Sequence, residues 1–311
     1  MTQLIGELAA LTTSLLFSTT STFFTLAGRQ VGSLVVNRSR LILATLWLSL
    51  AHLALYQTLL PTGAAPIRWF WLSLSGVIGL VLGDAFLFQA FLWIGPRLSM
   101  LMMSLAPVIA ALGAWLLLGE QLRLGQVVGI LITISGIVWV LRDRPRPAIV
   151  PPGAPTGGAP AGAQSYRLRG ILFGLGAATG QALGLVTAKL GLAGNFPALS
   201  GTLIRMIAAT LVLWVVTLLI GQARATFRIL AANGQANLFL LAGSLTGPFL
   251  GVTLSLVAVQ NTEVGVASTL MALPPVFLLP ISRLVFGEKF GISAVLGTLV
   301  AMAGVAFLFL V

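Results

Sequence analysis

Asp84 is one of only six acidic residues in 311, and it stands inside an apolar run, between Leu82-Gly83 and Ala85-Phe86. An ionised carboxylate facing lipid is costly, so such a residue is expected to face a cavity or a partner. It can then bind an amine on a solute, carry a proton, or pair with an arginine as a purely structural element. Arg40 and Arg205 each lie about two helical turns inside an apolar run of their own. An arginine fork can hold a carboxylate or phosphate through two hydrogen bonds. The plainer roles are snorkelling to headgroups or capping nearby carbonyls. Ser18 and Thr20 belong to a hydroxyl-rich run from Thr12 to Thr22, and Gln181 and Gln89 are isolated amides in other apolar runs. Such groups line a wet path or bond back to their own helix. Glu120 and Glu288 each follow a glycine at the end of an apolar run, where a tight turn lets a carboxylate accept the N–H groups that open the next helix. Pro107 and Pro275 remove helix hydrogen bonds and predict paired bends.

These residues sit in a chain that water cannot surround. Hydrophobic residues make up 58% and charged residues 7%, against roughly 25% charged in soluble domains. There is too little polar side chain to cover a water-facing surface, so lipid is the solvent for most of the molecule. The 17 basic residues outnumber the acidic ones but are scattered at the ends of apolar runs, without the compact patch that nucleic acid requires. With no Cys and only His52, neither a thiolate site nor a multi-histidine metal site can form. No G-x-x-x-x-G-K-[ST] loop is present, so ATP hydrolysis within the chain is not expected. No cofactor or metal is implied, and no nucleophile–histidine–carboxylate set suggests an enzyme. The first residues, Met1 to Leu8, contain Glu7 and no basic residue, unlike the positive start of a cleaved signal peptide.

About 20 apolar residues cross a hydrocarbon core. Ten stretches qualify, near 6–27, 33–56, 69–91, 98–118, 124–141, 169–189, 198–220, 237–259, 265–286 and 291–311. Uninterrupted runs without period-2 alternation predict helices, so the expected fold is an all-α integral membrane protein of ten transmembrane helices. The Pro-, Gly- and Ala-rich segment 142–168 reads as a linker between a first unit, 1–141, and a second, 169–311.

The two units resemble each other. Shifted by 168 residues, Gly79, Gly83, Met103, Pro107, Gly119-Glu120, Gly129 and Gly136 fall on Gly247, Gly251, Met271, Pro275, Gly287-Glu288, Gly297 and Gly304. Shifted by 165, Arg40 and Ala44-Thr45-Leu46 fall on Arg205 and Ala209-Thr210-Leu211. Asp84 falls on Val252, so its carboxylate has no counterpart. An odd number of spans per copy makes the second enter the membrane from the opposite side, giving an inverted repeat of the kind found in secondary transporters. Arg29, Arg38, Arg97, Arg142, Arg144, Arg146, Arg167, Arg169, Arg224, Arg228 and Lys289 fall in one set of loops, and only Arg68, Arg123 and Lys189 in the other. The positive-inside bias predicts both termini outside and the linker in the cytoplasm.

The ordered motifs resemble the drug/metabolite transporter superfamily, specifically its EamA-type ten-helix carriers. The matching residues are Ala106-Pro107-Val108 leading to Gly119-Glu120, and Pro274-Pro275-Val276 leading to Gly287-Glu288. A Gly-x6-Gly helix follows in both halves, and Pro197-x7-Arg205-x3-Ala209 resembles the family's second helix. The family often carries a Trp and then a Lys in the first helix of each repeat. Here those places hold Phe17 and Thr25, then Gln181 and Lys189. The resemblance implies a carrier of a small metabolite, an amino acid or similar compound, in a bacterial-type inner membrane. Alternating access would move the solute, with protons as an optional coupling ion. A permanent pore and a non-transporting membrane scaffold are the alternatives, distinguished by absence of counterflow and absence of flux.

Overall fold

The computed structural model describes residues 2–118, 123–142, 163–194, 196–261 and 264–310. Every regular element among them is helical. The first half contains α1 (Thr2–Val31), α2 (Ser33–Tyr56), α3 (Pro66–Gly76), a π-helical segment Val77–Gly83, α4 (Asp84–Met103), α5 (Leu105–Leu118) and α6 (Leu124–Arg142). The second contains α7 (Ala163–Leu192), α8 (Ala198–Leu219), the short α9 (Ala223–Ala232), α10 (Gly234–Ser244), a π segment Leu245–Gly251, α11 (Val252–Asn261), α12 (Val264–Met271), α13 (Pro274–Val285) and α14 (Ile292–Leu310).

Among the described residues, eight stretches are long and apolar enough to cross a membrane: Ser33–Tyr56, Pro66–Met103, Leu124–Arg142, Tyr166–Leu192, Ala198–Leu219, Gly234–Ser255, Val266–Val285 and Ile292–Leu310. The difference from the ten expected spans has two physical sources. α1 has the length, but its hydroxyls lower its apolarity. The fourth expected span, 98–118, is divided by a turn at Ser104, so that its first part is continuous with Pro66–Met103 and its second, α5, is short. Gly95 interrupts α4 at φ 79°, a left-handed conformation that glycine adopts without strain, just before Pro96.

The polarity is inverted relative to a water-soluble protein. Leu124, Leu219 and Leu284 are more than 80% exposed, whereas Ser14, Ser18, Thr25, Arg40, Asp84 and Arg97 are buried. A surface of leucines around an interior of hydroxyls and charges is stable only in an apolar solvent.

The duplication recurs as structure. α3 and α10, the two π segments, and α6 and α14 are each offset by 168 residues at both ends, and the turn at Ser104 recurs at Ala272. α6 packs on α14 through glycines: Gly129 lies against Gly304 and Leu308, and Gly136 against Gly297 and Ala301. The pairing descends along one helix as it climbs the other, so the two run antiparallel. The first helix of each half crosses to the other half. α1 lays Phe24, Thr20 and Phe17 against Gly243, Gly247 and Gly251, while α7 lays Gly184 and Gly180 against Gly79 and Gly83. Small residues at these crossings let backbones approach closely, which drives helix association where both solvent and side chains are apolar.

The hydroxyls of α1 explain how a polar helix sits inside the bundle. Thr13, Ser18, Thr22 and Thr25 each donate to the carbonyl four residues back. Ser14 also reaches the carbonyl of Leu270, whose helical partner would have been the N–H that Pro274 lacks. Ser18 reaches the carbonyl of Pro274 at 3.2 Å. The broken helix between α12 and α13 is thus partly satisfied by α1.

Candidate functional site

The π segment Val77–Gly83 displaces the normal i→i−4 ladder just before Asp84, and two residues of α2 take up carbonyls there. Asn37 Nδ2 donates to Leu80 O at 3.4 Å and Val81 O at 3.3 Å, and Arg40 donates to Leu80 O at 3.3 Å. Arg40 Nε donates to Asn37 Oδ1 at 3.1 Å, one helical turn away. The same guanidinium lies 5.0 Å from the Phe88 ring centroid and forms a salt bridge with Asp84. Both charged side chains are buried. This is a paired and hydrogen-bonded charge set, the condition under which burial of ions is tolerated.

Arg205 enters the same region from α8. Its backbone carbonyl packs on Gly76, where any Cβ would collide with it. Its guanidinium lies close enough to Asp84 to interact electrostatically. A Cβ on Gly79 would sit 3.4 Å from Arg205 Nη2 and 3.0 Å from Gln181 Oε1, so the missing side chain at Gly79 leaves the two polar groups room to converge. Arg205 Nε and Gln181 Oε1 are buried with no hydrogen-bond partner among the described residues. The cluster therefore combines two cations, one carboxylate and an amide from both halves of the chain.

The remaining sequence candidates lie in other contacts. Thr20 Oγ1 meets Thr246 Oγ1 at 2.7 Å, and Ser33 donates to Gln89 Oε1 at 2.6 Å. Ser18 is the bridge from α1 to Pro274 described above. Pro107 falls in the first turn of α5 and Pro275 in that of α13, each just after an interruption of the helix. Glu120 lies outside the described residues. Glu288 follows Gly287, whose φ is 64°, and accepts from Arg97 Nε at 3.0 Å. Sequence reading placed Arg97 only among loop charges. The structure buries it, 4.7 Å from the Phe290 ring centroid, with Arg29 similarly 4.5 Å from Phe286. Asn37 and Phe88 were also missed. The available signal for Asn37 was its i−3 spacing from Arg40, which places both on one helix face.

A model of the EamA-like transporter family matches residues 4–142 and, separately, 168–310. The chain belongs to the EamA-like transporter family. A solved crystal structure shares the fold, with a TM-score of 0.60 at 18% identity, covering 97% of this chain and 95% of that one. None of the curated proteins matches the sequence closely enough to count as a relative. As an EamA-like protein of the drug/metabolite transporter type, the chain is a multi-pass membrane transporter built from two copies of one unit.

Proposed function

We propose that this transporter is a secondary carrier of a small metabolite, an amino acid or similar solute, working by alternating access between two oppositely inserted five-helix repeats. The observation that carries the reading is the Arg40–Asp84–Arg205–Gln181 cluster. It is charged, only partly partnered, and assembled from both halves deep in an apolar bundle. Such groups inside a membrane mark solute or ion pathways.

The inverted arrangement draws support from contacts between equivalent positions. Thr45 and Thr210, which match each other in the repeat, share a hydrogen bond at 2.9 Å. The Gly129–Gly304 contact becomes Gly136–Gly297 when each residue is replaced by its counterpart. A two-fold axis in the membrane plane produces both features. Ten crossings follow if α1 spans and if Gly95 separates two spans, the second running through α5. Loop charges then place both termini outside and the linker in the cytoplasm of a bacterial-type inner membrane. The solute and the surrounding lipid are the partners, and protons carried at Asp84 are the coupling ion.

The test is counterflow in proteoliposomes loaded with one unlabelled metabolite at a time. A carrier accelerates entry of the labelled solute when the same solute is inside; a pore does not, and a scaffold gives no flux. With the transported solute in hand, Asp84→Asn is expected to remove the response to a pH gradient. Unchanged flux and pH dependence would exclude Asp84 as the coupling residue.

A further inference from the structure

We infer that the central cluster selects solutes bearing a net negative charge, with a carboxylate or phosphate oxygen bound at Arg205. The inference rests on the transporter reading above and specifies its substrate class.

The argument is one of charge balance. A guanidinium stays protonated in proteins, and a buried charge is stable only when paired. Arg40 has its own partner in Asp84, together with Asn37, a backbone carbonyl and the face of Phe88. Arg205 has a share of the same carboxylate's field, and its Nε has no acceptor among the described residues. In the repeat register, the residue equivalent to Asp84 is Val252. The cluster thus holds two positive charges against one negative, and one negative charge from a solute would neutralise it. Gln181 Oε1, packed against Gly79 beside Arg205 and without a partner among the described residues, is an acceptor for a donor group on the same solute. A zwitterion brings no net charge and a cation worsens the imbalance, so both bind less well than an anion.

The experiment measures thermal unfolding of the full-length protein in lipid nanodiscs. Sodium acetate, sodium methyl phosphate, glycine, choline chloride and sodium chloride are titrated at constant ionic strength. Saturable stabilisation by acetate or methyl phosphate, exceeding that by glycine, with none from choline or chloride, supports the inference. The preferred oxyanion distinguishes carboxylate from phosphate. Arg205→Gln is expected to weaken the effective oxyanion about tenfold or more, as loss of a charged hydrogen bond requires. Gln181→Glu keeps the fold testable because it supplies the missing charge: it should raise the unfolding temperature and abolish the anion response. Equal stabilisation by chloride would indicate an adventitious ion only and overturn the inference. So would glycine matching acetate, or Gln181→Glu leaving the response intact. Counterflow separates the two levels. Exchange confined to cations or zwitterions refutes anion selection and leaves the carrier standing. Anion binding without exchange of any solute supports the site and refutes the carrier.

Discussion

At the residue scale, the consequential pair is Arg40 and Asp84. Removing one member of a buried pair leaves an uncompensated charge, a loss of about 3–5 kcal/mol. Asp84→Asn strands both Arg40 and Arg205 and should lower the unfolding temperature by the shift corresponding to that loss, whereas Arg40→Gln leaves Asp84 with Arg205 and should lower it less. Replacing Arg40, Asp84 and Arg205 together by Leu should recover much of it, because three apolar groups leave no charge stranded. Thermal unfolding of the three variants in one lipid mixture checks the order. A similar-sized drop in the triple variant would mean that the cluster's bonds to Asn37 and Leu80, rather than its charges, carry the stability. Asp84 was legible in the sequence because a lone carboxylate in an apolar run has few permissible surroundings. Its partner was not: Arg40 and Arg205 occupy matching places in the two copies, and nothing in the spacing says which lies nearer.

At the element scale, the π segments and the glycine crossings do the positioning. Deleting Ile78 should relax Val77–Gly83 toward an α-helix, because a π turn is an α-helix with one residue inserted, and return the Leu80 and Val81 carbonyls to i→i−4 bonding. Asn37 and Arg40 would then lose the acceptors that hold them beside Asp84. The expected outcome is loss of flux and a lower unfolding temperature, whereas deletion of Gly157 in the linker should change neither. The α6–α14 contact gives a second test. A Cβ on Gly136 would collide with the backbone of Ala301, and main chain cannot swing aside as a side chain can. Gly136→Ala is expected to cost about 1–3 kcal/mol. Gly113 has open space where its Cβ would be, so Gly113→Ala should be close to neutral. Unfolding in graded denaturing detergent compares the two. The glycine spacing was visible in sequence as a sign of close packing, but the choice of partner was not. Gly-xxx-Gly spells a flat helix face without saying which neighbour covers it.

For the whole molecule, the question is how the two copies sit in the membrane. The chain has no cysteine, so single cysteines can be introduced without removing native ones. With membrane-impermeant maleimide on intact cells, Gly63→Cys, between α2 and α3, should label from outside. Gly157→Cys, in the linker, should label only after the membrane is opened. The reverse pattern would invert the assigned orientation, and labelling of both from the same side would break the odd-span repeat. The contact between Arg97 and Glu288 belongs to this scale as well, because it joins the two halves at the loop end where basic residues gather.

The sequence by itself determined the solvent, the helical class, the duplication and the family, because each depends on composition or on order along the chain. A low charge count demands lipid, a long apolar run demands a helix there, and a repeated register survives without any knowledge of contacts. Only the tertiary structure decided that α1 and α7 cross into opposite halves, that Arg40 takes Asp84, and that Arg205 Nε and Gln181 Oε1 find no partner among the described residues. The physical reason lies in the solvent. In water, an amphipathic stripe tells which face of a helix points inward. In lipid, leucine is equally at ease against acyl chains and against another helix, so facing is set by close packing of small residues and by polar groups far apart in the chain.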